Sequence, residues 1–146
     1  MADISVLKAS LKSLAAKHRD LVVPGFTHMQ HAQPVRVSDY LGAYGDMLTR
    51  DAARLSGVAG GIQLTMGSGA LAGTPIDAAK YSISISGIKV TAPSNSIDAV
   101  SDRDFVVEIL SGLAIMGMHL SRMAEDIIIW SSKEFSFIDL DESVCT

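Results

Sequence analysis

The sequence predicts an all-α fold, a bundle of long helices that buries part of its surface against further copies of itself. Three observations carry that expectation. Apolar residues recur at spacings of three and four over most of the chain. Proline and glycine are concentrated between these stretches, where helices must stop. The last and longest helical pattern is apolar on most of its circumference, and three or four helices in 146 residues cannot surround it. Helices of neighbouring subunits would complete its burial, so the pattern predicts an oligomer.

The first helix is expected over residues 3–21, where Ile4, Leu7, Leu11, Leu14, His18 and Leu21 form one stripe. Asp3 is placed to cap it, and Pro24-Gly25 to end it. A connection, PGFTHMQHAQP (residues 24–34), leads to the second helix, expected over 34–62. Pro34 suits a first helical position because its missing N–H would be unpaired there anyway. Val37, Leu41, Tyr44, Leu48, Leu55, Val58 and Ile62 follow a seven-residue rhythm, and Asp51 stands where an apolar member belongs. Residues 66–75, MGSGALAGTP, hold three glycines and a proline, so they read as tight turns or packing. They lack the lysine of a phosphate-binding loop. Residues 81–90, YSISISGIKV, alternate Tyr81, Ile83 and Ile85 with serine, which is strand periodicity. The last helix is expected over 101–132. Glu108, Ser111, His119, Arg122 and Asp126 fall within roughly 80° of one another on its wheel, and Gly112 and Gly117 permit close approach of another helix.

Composition narrows the function classes. The chain is 48% hydrophobic and 19% charged, with a net charge of −4. No basic block supports nucleic-acid or anionic-membrane binding. The longest run free of charge and histidine in the last helix, Ile109 to Met118, is ten residues, too short to span a bilayer. A single cysteine, Cys145, cannot form an internal disulfide, and no secretory leader pattern is present. A cytoplasmic protein is the expectation. The chain opens directly on a helical pattern and stops after an acidic stretch, as a fragment would.

Among the side chains that could carry chemistry, His28 stands out. Histidine as a residue type can give or take a proton in a reaction, and this one lies in a connection, flanked by Thr27 and Gln30, which offer neutral donors and acceptors. The competing reading is a polar loop that caps helix ends. Arg103, in NSIDAVSDRDF (95–105), has the planar fork that grips a carboxylate. Here too a bland reading competes, with Ser101 or Asp102 capping the last helix and Arg103 paired to a neighbouring acid. His18 and His119 sit inside helical repeats and read as structural. His28 and His31 have no acid or cysteine beside them to complete a metal site, and no cofactor requirement is visible. Cys145 has no base partner to make it a nucleophile.

The stretches VPGFTHMQHAQPVRVSDYLGAY, LTRDAARL, MGSGALAGTPID, NSIDAVSDRDFVVEIL and HLSRMAEDIIIWSSKEFSFIDL together resemble the argininosuccinate lyase family. Thr-His-x-Gln alone indicates only the broader fumarase/aspartase superfamily; the AQP, SDRDF and WSSKEF stretches resemble the argininosuccinate branch. The resemblance implies the long-helix bundle of the superfamily's central domain over 1–146, and β-elimination of argininosuccinate to arginine and fumarate without a cofactor. It places Thr27 and His28 in the substrate-contacting segment, with His28 in proton transfer or charge relay. It also places Gln30 and Arg103 at the substrate. It implies a short helix over 77–86, and that expectation is taken here against the local alternation.

The resemblance further implies a homotetramer whose active sites each combine segments of three subunits. Family members carry an upstream Ser-x-Asn-Asp loop and a downstream Gly-Ser-Ser loop ending in Lys-Lys-Asn, whose serine is the proposed base. This sequence contains neither, nor the glutamate that partners the histidine. The 146 residues by themselves are therefore expected to be inactive. Other readings are a superfamily lyase acting on adenylosuccinate, fumarate or aspartate, or a non-catalytic helical oligomer of the lens-crystallin type.

Overall fold

The computed structural model describes residues 2–63, 65–77, 80, 83–85 and 87–145. The chain runs α1 (Ala2–Lys17), β1 (Val22–Thr27), β2 (Gln30–Arg36), α2 (Val37–Gly61), β3 (Ile83–Ile85), β4 (Ile88–Val90), α3 (Ser96–Ser101) and α4 (Asp104–Ser131), then a 3₁₀ turn over Glu142–Val144. Helix dominates, as expected, but two antiparallel hairpins interrupt it. The residues divide into two units, 1–52 with 115–146, and 53–114.

In the first unit, Leu11, Leu41, Tyr44 and Leu48 form the buried core. Ile4, Leu7, Val37, Tyr40, Leu120 and Met123 pack around it. Those of α1, and all but Tyr40 of α2, are stripe positions of their helices, and full burial of one such side chain stabilises by about 1.5–3 kcal/mol. The α1 stripe ends early. The helix stops at Lys17 and not at Leu21, and Leu14 and Leu21 are exposed. The His18 N–H bonds to the Leu14 carbonyl and the Leu21 N–H to the His18 carbonyl, so the chain turns at once into β1. Asp3 lies inside the first turn, where a carboxylate favours the positive end of the helix dipole, and does not precede it as a cap.

The connection at 24–34 is a β-hairpin, and Pro34 belongs to β2; α2 begins only at Val37. Pro24 and Pro34 face each other in register. They lack N–H donors, which is tolerated on a two-stranded ribbon whose outer edges go unpaired. Gly25 sits at a bulge between Pro24 and Phe26. A Cβ there would come within 2.7 Å of Val35 Cγ2 and 2.9 Å of the Gln33 carbonyl oxygen, so only glycine fits.

At the Asp51 position, the interruption in the α2 stripe, the carboxylate is fully buried, with Oδ2 2.8 Å from His119 Nδ1 of α4. The predicted structural role of His119 is thus met by a polar partner across the bundle. By length and composition α4 could cross a membrane. Two members of its polar stripe, His119 and Asp126, bond to side chains of α2.

In the second unit, a helix was expected over 77–86; Lys80 N–H does donate to the Asp77 carbonyl in a helical turn, but the described residues 83–85 are strand. Ile83–Ile85 pairs antiparallel with Ile88–Val90, and Gly87 turns between them at φ +82°. Isoleucine alternating with serine favours a pleated strand, and a glycine able to adopt positive φ closes it. The part of that expectation falling on residues 78, 79, 81, 82 and 86 lies outside the described residues. The glycine-rich loop is the tight turn predicted: Gly67, Gly69 and Gly73 have positive φ, and Gly73 and Thr74 donate back to the Ser68 and Gly67 carbonyls. The expected last helix, 101–132, is α4 over Asp104–Ser131, preceded by the separate short helix α3. Asn95 caps α3 through Ile97 and Asp98 N–H. The Asp102 side chain accepts from Arg103 N–H (2.6 Å) and Asp104 N–H (3.0 Å), covering the start of α4. Gly112 takes the predicted close approach: a Cβ there would meet Leu55 Cδ2 at 3.1 Å.

Candidate active site

Thr27, His28 and Gln30 lie together at the tip of the β1–β2 hairpin. Thr27 pairs with Gln30, leaving His28 and Met29 as a two-residue loop. Both adopt left-handed backbone, φ 53° and 60°. Two left-handed central residues make a type I′ turn, which matches the strand twist and ordinarily calls for Asn-Gly or Gly-Gly. Left-handed backbone costs an L-residue about 1–2 kcal/mol. Histidine is over-represented among residues that accept it, but a methionine there has no such excuse. Strain of this kind clusters at sites where a side chain must be aimed.

Beneath the turn lies a cavity of about 230 Å³, lined by Phe26, His28, Met29, Tyr40, Asp126 and Trp130 among others. The Asp126 carboxylate in its lining is shared by two phenols. Tyr40 donates to Asp126 Oδ2 at 2.8 Å, and Tyr44 donates to the same oxygen. Burial, with the hydrogen bond and the negative charge of Asp126, pushes Tyr40 up to about 12, with Arg122 opposing weakly. The same causes raise Tyr44 further. Both phenols are therefore fixed donors at neutral pH. Sequence reasoning placed Tyr44 and Asp126 on helix stripes but did not join them; an acid on one stripe opposite tyrosines on another was the available signal.

Arg103 belongs to the second unit, between α3 and α4. Its Nη1 donates to the carbonyls of Ala99 and Val100 (3.4 Å each) and of Asp102, satisfying the end of α3. These are backbone carbonyls, not the acidic side chain that the competing reading paired with it. Among the described residues no group of three or more His, Cys, Asp or Glu is placed to hold a metal ion, and this includes His18 and His31. Cys145 is exposed.

A family model described as a lyase matches residues 1–144. The chain belongs to this lyase family. Argininosuccinate lyase of Moorella thermoacetica is 46% identical over 143 residues, covering 96% of this chain and 30% of that protein. The chain thus spans less than a third of that relative's length. Among solved structures, EDDS lyase in complex with formate superposes with a TM-score of 0.81 at 27% identity, over 94% of this chain and 28% of that one. Class II fumarase from Schistosoma mansoni shares the fold with a TM-score of 0.77 at 19% identity, over 90% of this chain and 32% of that one. The helical architecture of the fumarase-type lyases, expected from sequence, is the one observed.

Proposed function

We propose that this chain is the central part of an argininosuccinate lyase, which splits argininosuccinate into arginine and fumarate. The observation that carries the reading is 46% identity to an argininosuccinate lyase over 96% of the chain. β-Elimination needs a proton removed beside a carboxylate and a proton delivered to the departing guanidinium nitrogen. His28, at the tip of the β1–β2 hairpin, serves that proton transfer or relays charge to the group that performs it. Thr27 and Gln30, paired beside it, orient the substrate through neutral hydrogen bonds. Arg103 offers a planar cation for a substrate carboxylate, at the cost of leaving the α3 carbonyls.

The working form is a homotetramer in the cytoplasm, acting in arginine biosynthesis or the urea cycle. The exposed apolar line on α4, Val107, Leu110, Met118 and Ile128, supports assembly through that helix. The test is fumarate release by the full product of the gene that carries this segment, offered argininosuccinate, adenylosuccinate and aspartate in parallel. Argininosuccinate is expected to be strongly preferred. Preference for adenylosuccinate or aspartate would move the protein to another branch of the superfamily. No release from any would leave a crystallin-like assembly.

A further inference from the structure

An isolated two-stranded ribbon is marginal in water, yet this one keeps two L-residues left-handed at its tip. Such strain persists only where neighbouring structure fixes the backbone. Most of β1 and β2 is exposed, so few side chains can do the fixing. Phe26, one residue before Thr27, is half-buried. Its ring packs across the ribbon on His31 (centroids 4.8 Å) and, on another side, against Phe135 (4.9 Å).

Phe135 lies in the turn that follows α4. That turn is closed by its own backbone: Ser136 N–H donates to the Ser132 carbonyl (2.8 Å) and Phe137 N–H to the Trp130 carbonyl (2.9 Å). Ser136 is a third non-glycine residue with positive φ, at 51°. From Phe135 the rings continue to Phe137 (5.6 Å), Trp130 (6.3 Å) and Tyr40 (4.8 Å), and so reach the core. Phe26 and Phe135 also line the cavity under His28 and Met29.

We propose that Phe135 is a positioning residue: through Phe26 it clamps the hairpin to the end of α4 and holds His28 in its left-handed conformation. The consequence for turnover rests on the reading of His28 given above; the clamp itself does not. Amide exchange and steady-state kinetics of the full gene product test the two separately. Phe135→Ala is expected to speed exchange across residues 26–31 about tenfold, the equivalent of one lost aromatic pair. Exchange in α1 and the first half of α2 should stay unchanged. With argininosuccinate, kcat should fall more than KM rises, because the turn is misaimed while the other substrate contacts remain. Phe135→Tyr, which keeps the ring, should restore both exchange and kcat. If Phe135→Ala prevents folding, Phe135→Leu keeps most of the volume without the ring, and faster exchange at 26–31 is expected there too. Unchanged exchange at 26–31 in a folded Ala or Leu variant, or a Tyr variant that behaves like Ala, would overturn the clamp. Absence of argininosuccinate cleavage in the unaltered protein would overturn the functional reading and leave the exchange result standing.

Discussion

Asp126 receives two phenolic hydrogen bonds on one oxygen, and this fixes how the first unit responds to alkali. Tyr40 ordinarily ionises at 10.0 and in the fold is raised to about 12, first by burial and then by its bond to Asp126. The folded state therefore favours the protonated phenol. Its contribution is fully present below pH 10 and is lost as the pH rises through about 12. Alkaline unfolding followed by near-ultraviolet circular dichroism should steepen within that window, and Tyr40→Phe should flatten it. An identical alkaline limb in the variant would contradict the assignment. At this scale the sequence was only partly legible. His28, Thr27 and Gln30 could be singled out because polar groups crowd a short connection. The Asp51–His119 and Tyr–Asp126 pairings could not, because each joins residues more than sixty positions apart. What sequence did reveal was that Asp51 broke an apolar stripe. A buried carboxylate in such a place needs a polar partner.

Among the elements, the helices were the legible part. A long run of one period leaves little choice, and α2 and α4 fall within a few residues of their expected spans. The hairpins were not legible in the same way. β1–β2 turns on His-Met, which carries neither the glycine nor the asparagine that marks a type I′ turn, and its prolines read as helix punctuation. At 83–90 the local alternation was correct, and the helix implied by resemblance was not. Glycine in α4 separates two kinds of contact. Gly112 is filled by Leu55, whereas a methyl group at Gly117 meets no heavy atom within 4 Å. Gly117→Ala should therefore stabilise the dissociated chain by about 0.5–1 kcal/mol through reduced backbone entropy. If α4 packs against another copy at that point, the same change should weaken assembly in sedimentation. Greater thermal stability with unaltered association would place the inter-subunit contact elsewhere on the helix.

For the molecule as a whole, the excess of apolar surface on α4 was visible from composition and periodicity alone, and Leu110 and Ile128 are each about three-fifths exposed (61% and 60%). A helix this apolar makes sense in a bundle larger than one chain. Under the function proposed above, such a bundle surrounds the active sites, and the hairpin tip is this segment's contribution to one. The measurement that tests this most directly is kcat/KM for argininosuccinate in His28→Asn of the full gene product. Asparagine accepts left-handed backbone, so the turn is kept while the imidazole is removed. Loss of a proton-transfer residue should lower kcat/KM by about 10²–10⁴-fold, with the fold and KM little changed. A variant that retains kcat/KM within about twofold, well short of one such step, would remove His28 from the chemistry and leave the strained turn without its proposed purpose.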